Sequence, residues 1–340
     1  MKNRKELILK EIVDGFIETG KPVSSKMILE EYDLDYSSAT VRNDMHELEE
    51  EGYLKKPYTS GGRVPTVEGY RYFVSWLLEL SGLSGEEQKA IVEAYEFEQQ
   101  NTERLLRNTA TLLANITGYT GFVLGPDLEE RSVRYFTLTQ LDRTHLMAIL
   151  VTDIGLVENR VIESEREITQ EELDQINPLL SDKLEGTQLK NLKEIKNINL
   201  NEEGWYDKLT RDSFLLIRSF LKERNERRLY LEGYLNVLGS GTEEDQDLGK
   251  LKRVFSYLNE ESLRKITKSC KEKENGITAI VGLEDGSDLL PYSLVIKRLA
   301  NCSSSLGVMG PINMNYSKSF STVQYIGSRL DTLLTAGKKN

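Results

Sequence analysis

A chain of 340 residues with 39% hydrophobic and 29% charged side chains can fill two or three domains with a proper core, which excludes disordered, collagen-like and mucin-like classes. Two cysteines, Cys270 and Cys302, and two histidines, His46 and His145, are too few for a disulfide scaffold, a cysteine-rich zinc site or most histidine-based enzymology. The net charge of −11 argues on average against nucleic acid, but residues 52–71 set Lys55, Lys56, Arg63 and Arg71 against Glu68 alone, and DNA affinity depends on the charge presented locally.

The spacing of Ile8, Ile12, Val13 and Phe16 predicts a first helix that Gly20-Lys21-Pro22 ends. Ser24 is placed to cap a short second helix carrying Met27, Ile28 and Leu29, and Ser37 to cap a third helix that runs to about Glu51, where Gly52 stops it. Tyr53-Leu54-Lys55-Lys56 reads as a strand, Thr59 to Arg63 as a glycine-containing tip, and Val64-Pro65-Thr66 as the return strand. A helix from Gly69 to Leu80 is expected beneath this hairpin, then a linker at Ser81-Gly82-Leu83-Ser84-Gly85. Glu86 to Asn115 reads as polar helix with an apolar stripe at Leu105, Thr109, Leu112 and Ile116 and with Leu106 and Leu113 beside it.

Four strand-like runs follow, Phe122-Val123-Leu124, Val133 to Leu141, His145 to Val151 and Leu156 to Ile162, a pattern that predicts an antiparallel meander. Ile168 to Glu261 turns helical and highly charged. Strand-like runs return at Gly276 to Leu283, Tyr292 to Leu299 and Leu306 to Ile312, before a closing helix from about Ser317 to Leu334. A sheet interrupted by a helical block predicts an α+β multidomain protein with one domain inserted in another. The longest apolar run, Leu146 to Val151, is too short to cross a bilayer, no secretory signal follows the charged start, and the cytoplasm is the expected compartment.

The third helix carries the chemistry. With Val41, Met45 and Leu48 inward, Ala39, Asn43 and His46 face outward, flanked by Thr40 and Arg42. Asparagine can read adenine, arginine can read guanine or hold phosphate, and alanine can rest on a thymine methyl. Ser37 and Ser38 lie at the helix N-terminus, where free N–H groups and the dipole favour phosphate. Glu47, Glu49, Glu50 and Glu51 restrict groove entry to the N-terminal end, the docking geometry of helix-turn-helix proteins. The hairpin adds Lys55, Lys56, Thr59, Ser60 and Arg63, a composition suited to a wing on the phosphate backbone. An amphipathic helix with a solvated polar face remains the bland alternative for the helix alone.

The strings Thr19-Gly20-Lys21-Pro22-Val23-Ser24-Ser25-Lys26, Ser37-Ser38-Ala39-Thr40-Val41-Arg42-Asn43-Asp44-Met45 and Tyr58-Thr59-Ser60-Gly61-Gly62-Arg63-Val64-Pro65-Thr66 resemble the heat-inducible transcription repressor family HrcA. A weaker echo lies at Gly307-Val308-Met309-Gly310-Pro311. Ser24, Tyr58, Gly61 and Val67-Glu68 depart from the family pattern. The resemblance implies a winged helix-turn-helix at 1–82, a helical linker and first part of a GAF-like antiparallel-sheet domain at 83–165, an inserted helical dimerisation domain at 166–249, and the second GAF-like part at 250–340. It also implies a homodimer on an inverted-repeat operator called CIRCE, repression of chaperone operons, and a GroEL-type chaperonin partner that keeps the repressor active. No catalysis, cofactor, metal or membrane is expected. Two alternatives stay open: a regulator that senses a small ligand in the GAF-like domain, and an enzyme that uses the winged helix only for docking.

Overall fold

The computed structural model describes residues 3–32, 36–57, 61–96, 102–125, 131–164, 166–192, 229–236, 257–269, 276–285, 288–300 and 304–336. Three helices open the chain: α1 (Asn3–Thr19), α2 (Ser25–Tyr32) and α3 (Ser38–Glu50). Gly20 follows α1 with φ 65° and Gly52 follows α3 with φ 82°, the left-handed conformation expected just past a helix end. Ile8, Leu9, Ile12, Val41 and Leu48 are fully buried against one another with Val13, Val23, Ile28 and Met45. Strand β1 (Leu54–Lys55) pairs antiparallel with β2 (Val64–Pro65), Leu54 opposite Pro65 and Lys55 opposite Val64. The hairpin leads into α4 (Val67–Tyr72), capped by Thr66, whose hydroxyl accepts from Gly69 N–H and donates to the Gly52 carbonyl. A side chain at Gly69 would sit 2.2 Å from the Tyr53 carbonyl, so only glycine lets α4 lie this close to the hairpin.

The single helix expected to Leu80 is α4 followed by a π-helical turn at Phe73–Leu77, and Trp76 at its end is exposed. The polar helical stretch is two helices, α5 (Gly85–Glu96) and α6 (Thr102–Thr117). On α6 the buried face is Leu105, Leu106, Thr109, Ala110, Leu113 and Ala114, centred toward the expected flanking pair Leu106 and Leu113, so that Leu112 and Ile116 are only half-buried.

Strand β3 (Thr120–Leu124) corrects the expected four-run meander. It pairs with β10 (Ser305–Pro311) on one side and β7 (Leu229–Glu232) on the other, in a five-stranded antiparallel sheet of order β7-β3-β10-β9-β8, where β8 is Ile277–Asp285 and β9 is Asp288–Arg298. Both faces are covered. Val295, Leu306 and Val308 point toward α6 and the closing helix α10 (Tyr316–Ala336), while Leu294, Ile296 and Met309 meet Leu263 of α9 (Glu260–Ser269). That is why β10 is buried at every position.

Only β4 (Val133–Gln140), β5 (His145–Thr152) and β6 (Val157–Glu163) form the meander, as a separate three-stranded sheet. Helix α7 (Gln170–Leu184) lays Leu173, Ile176, Leu180 and Leu184 on its inner face, and α8 (Leu189–Leu192) follows. The sequence boundary at 165/166 therefore cuts through one packed unit, and β7, expected inside the insertion, belongs to the five-stranded sheet. Cys270 and Cys302 lie outside the described residues. His145 begins β5, the central strand of this sheet, opposite Glu163 of β6 and with Nδ1 2.9 Å from Asp142 Oδ1. Among the described residues no helix is long and apolar enough to cross a membrane, and no group of acidic, histidine or cysteine side chains has metal-site geometry.

Candidate nucleic-acid interface

Ser37 closes the first turn of α3: its Oγ accepts from Thr40 N–H at 3.1 Å and lies 2.8 Å from Thr40 Oγ1. Ser38 Oγ is 3.5 Å from Ser25 Oγ of α2, which ties the two helices at their N-terminal ends. Val41, Met45 and Leu48 are buried as their spacing demands. Rolling α3 about its axis would expose all three, at roughly 1.5–3 kcal/mol each, so the rotation that places the outer face is fixed. Ser37, Ser38, Ala39, Arg42, Asn43 and His46 are exposed, and Thr40 is half-buried on the flank.

Sequence reasoning missed how the acidic half of α3 is neutralised. Asp44 is 1% exposed, and Arg4 of α1 clasps it through Nε at 2.5 Å and Nη2 at 2.8 Å. Lys5 Nζ lies 2.5 Å from Glu47 and 2.9 Å from Glu51, and these carboxylates raise its pKa above the ordinary lysine value. Glu49 holds Arg63 of the hairpin, Nη2 at 2.8 Å and Nε at 2.9 Å. The only hint in the sequence was the pair of cations at the start of a helix that must pack on α3.

Lys55 and Lys56 are exposed on the hairpin. Arg63 is not an open wing cation: its side chain is 14% exposed, committed to Glu49, and its backbone exchanges both hydrogen bonds with Val23. Thr59 and Ser60, like Tyr58, lie outside the described residues. Arg71, counted among the basic residues near the hairpin, points to the body of the protein: Nε donates to the Val281 carbonyl and Nη2 to Glu284, each at 3.0 Å. The structure thus leaves Arg42, Lys55 and Lys56 as exposed cations of the expected set, with Asn43 exposed beside Arg42 on α3.

Residues 103–320 match the family model described as the HrcA protein C terminal domain. A heat-inducible transcription repressor HrcA of Pelotomaculum thermopropionicum is 33% identical over 341 residues, spanning 98% of this chain and 96% of its own length. Proteins of the same name from Carboxydothermus hydrogenoformans and Enterococcus faecalis are each 32% identical, covering 99% and 94% of this chain and 98% and 93% of theirs. The crystal structure of a hypothetical protein at 2.2 Å superposes with a TM-score of 0.71 at 24% identity over 99% of both chains, a likeness of fold alone. These relatives are transcription repressors, the class to which an α+β body carrying a small helical unit and exposed hairpin is here tied. The chain belongs to the HrcA family of heat-inducible transcription repressors.

Proposed function

We propose that this protein is a sequence-specific repressor of heat-shock chaperone genes that reads a CIRCE-type inverted repeat as a homodimer, with α1–α3 and the β1–β2 hairpin acting as a winged helix. The observation that carries this reading is the capped, outward-facing N-terminal half of α3, held in fixed rotation by Val41, Met45 and Leu48 in a chain of this family. In this reading Asn43 reads a base edge, and Thr40 and Arg42 contact bases or phosphate. Ser37 and Ser38 line the phosphate end of the helix. Lys55 and Lys56, with the hydroxyls of Thr59 and Ser60, lie along the backbone. Arg63 braces the wing from behind.

The five-stranded sheet with helices on both faces would be the GAF-like domain. The dimerisation domain would be the whole segment between β3 and β7, which includes β4–β6 and α7. Two-fold symmetry of the dimer would then mirror the inverted repeat. A GroEL-type chaperonin would keep the repressor active, so that chaperonin occupied by unfolded protein relieves repression. No cofactor or catalytic step enters this scheme.

The test is fluorescence anisotropy of the full chain on duplexes bearing the inverted repeat, one half-site, or a scramble, titrated across salt with and without chaperonin. Tighter binding to the full repeat, enhanced by chaperonin, is the expected result. Equal weak binding to all three by folded protein would reduce the assignment to a general DNA-docking module.

A further inference from the structure

Asn43 is not loose on the helix surface. Its Nδ2 donates to Glu47 Oε1 at 2.9 Å, one turn further along the same face of α3. The other oxygen of that carboxylate, Oε2, lies 2.5 Å from Lys5 Nζ, and Lys5 in turn reaches Glu51 at 2.9 Å. Lys5 belongs to α1, whose Ile8 and Leu9 are fully buried in the core. A chain of contacts therefore runs from the packed helix α1, through one carboxylate, to the amide on the outer face of α3.

A primary amide offers one acceptor and two N–H donors, and by itself it can turn over and present them in either order. With one N–H held on Glu47, the edge left for a partner consists of Oδ1 and the second N–H in a set order. Adenine in the major groove presents an N–H donor and the N7 acceptor in a set order as well. Pre-set polarity matters here because an amide that must reorient on binding loses part of its discrimination to that rearrangement.

We propose that Glu47, seated by Lys5, is a positioning residue for base reading: it fixes the orientation of the Asn43 amide and so sets operator preference without itself touching DNA. The proposal rests on the reading of α3 as the helix that enters the groove. It differs sharply from the electrostatic expectation for Glu47. A carboxylate near the phosphate backbone that acted only by its charge would weaken binding to every duplex alike, and its removal would tighten them all.

The experiment measures, for full-length protein at one salt concentration, the ratio of affinities for a duplex bearing the CIRCE repeat and a scrambled duplex. Glu47→Ala is expected to lower that ratio by about tenfold. Glu47→Gln keeps a carbonyl acceptor for the Asn43 N–H while removing the charge, and is expected to retain most of the ratio. In the double variant the loss should be no greater than in Asn43→Ala alone, because one residue acts through the other. Lys5→Ala changes no residue of α3 and serves where Glu47→Ala is unstable: a fallen ratio supports the chain of contacts, an unchanged ratio overturns it. Glu47→Ala binding both duplexes more tightly by the same factor overturns the proposal, as do additive losses in the double variant. Wild-type protein with no preference for the repeat defeats the DNA reading itself, a failure visible before any variant is made.

Discussion

In the proposed reading of α3 and the hairpin, Asn43 and Lys55 would make the two kinds of contact a DNA reader makes, and experiment separates them. Asn43→Ala should cost about 1–3 kcal/mol on the operator and little on scrambled DNA. Lys55→Ala should weaken both and reduce the slope of log affinity against log salt by about one unit. Arg63 belongs to neither kind. With its guanidinium on Glu49 and its backbone on Val23, it closes the hairpin against α3 and the link between α1 and α2. Arg63→Ala should therefore lower the melting temperature while changing the salt slope less than Lys55→Ala does; a full unit of slope would return Arg63 to the phosphate backbone. The inward and outward residues of α3 were legible because helical spacing sorts them. The clasp of Arg4 on Asp44 was not, since a charged residue on a helix reads as solvated until the cation that buries it is known, and that cation stands on another helix.

At the scale of elements, α3 depends on its cap. Ser37→Ala removes the acceptor for Thr40 N–H and should cost about 1 kcal/mol. The loss falls on the turn that carries Ser38, Ala39 and Thr40, so amide exchange there should accelerate and affinity should fall on operator and scramble together. A fall on the operator alone would make Ser37 a base reader instead. Caps, helix-ending glycines and apolar periods are local signals, and they made α1, α2, α3, the hairpin and α10 legible in the sequence. Pairing partners are not local. The run Phe122-Val123-Leu124 announced a strand, but its neighbours, Ser305 to Gly307 and Leu229 to Leu231, come from far along the chain, and nothing in the run distinguishes them from Val133 onward. Strand β7 is four residues in a charged stretch, too short for a period to show. Gly307 is explained by its neighbours: a side chain there would lie 2.2 Å from the Val295 carbonyl of β9 and 2.8 Å from the Phe122 ring of β3, the strands on either side of β10.

For the whole molecule, the consequential feature is the seam between the N-terminal helices and the sheet body. One hydrophobic core runs across it, with Tyr70 of α4 buried 6.3 Å from the Tyr316 ring at the start of α10. Tyr316 O–H reaches Ser293 Oγ at 2.8 Å, whereas the Tyr70 hydroxyl is buried without a hydrogen-bond partner among the described residues. Tyr70→Phe removes an unsatisfied polar group and keeps the ring, so it should leave the melting temperature unchanged or raise it; a marked drop would reveal a partner for that hydroxyl. Ser317 Oγ donates to the Glu79 carbonyl and accepts from Ser81 N–H, holding the linker to α10. Arg71 completes the seam from the other side, on Val281 and Glu284 of β8. If α3 reads DNA as proposed, an arginine so placed would help set how that helix is carried relative to the body, and hence how two such helices could meet the two halves of a repeat. Arg71→Ala should thus change affinity for the full inverted repeat while leaving affinity for a single half-site, and the salt slope, close to those of the wild type. Anisotropy on the full and half repeats across salt decides it. A uniform loss on both duplexes with a slope lowered by about one unit would make Arg71 a phosphate contact and leave the seam to Tyr70 and Ser317 alone.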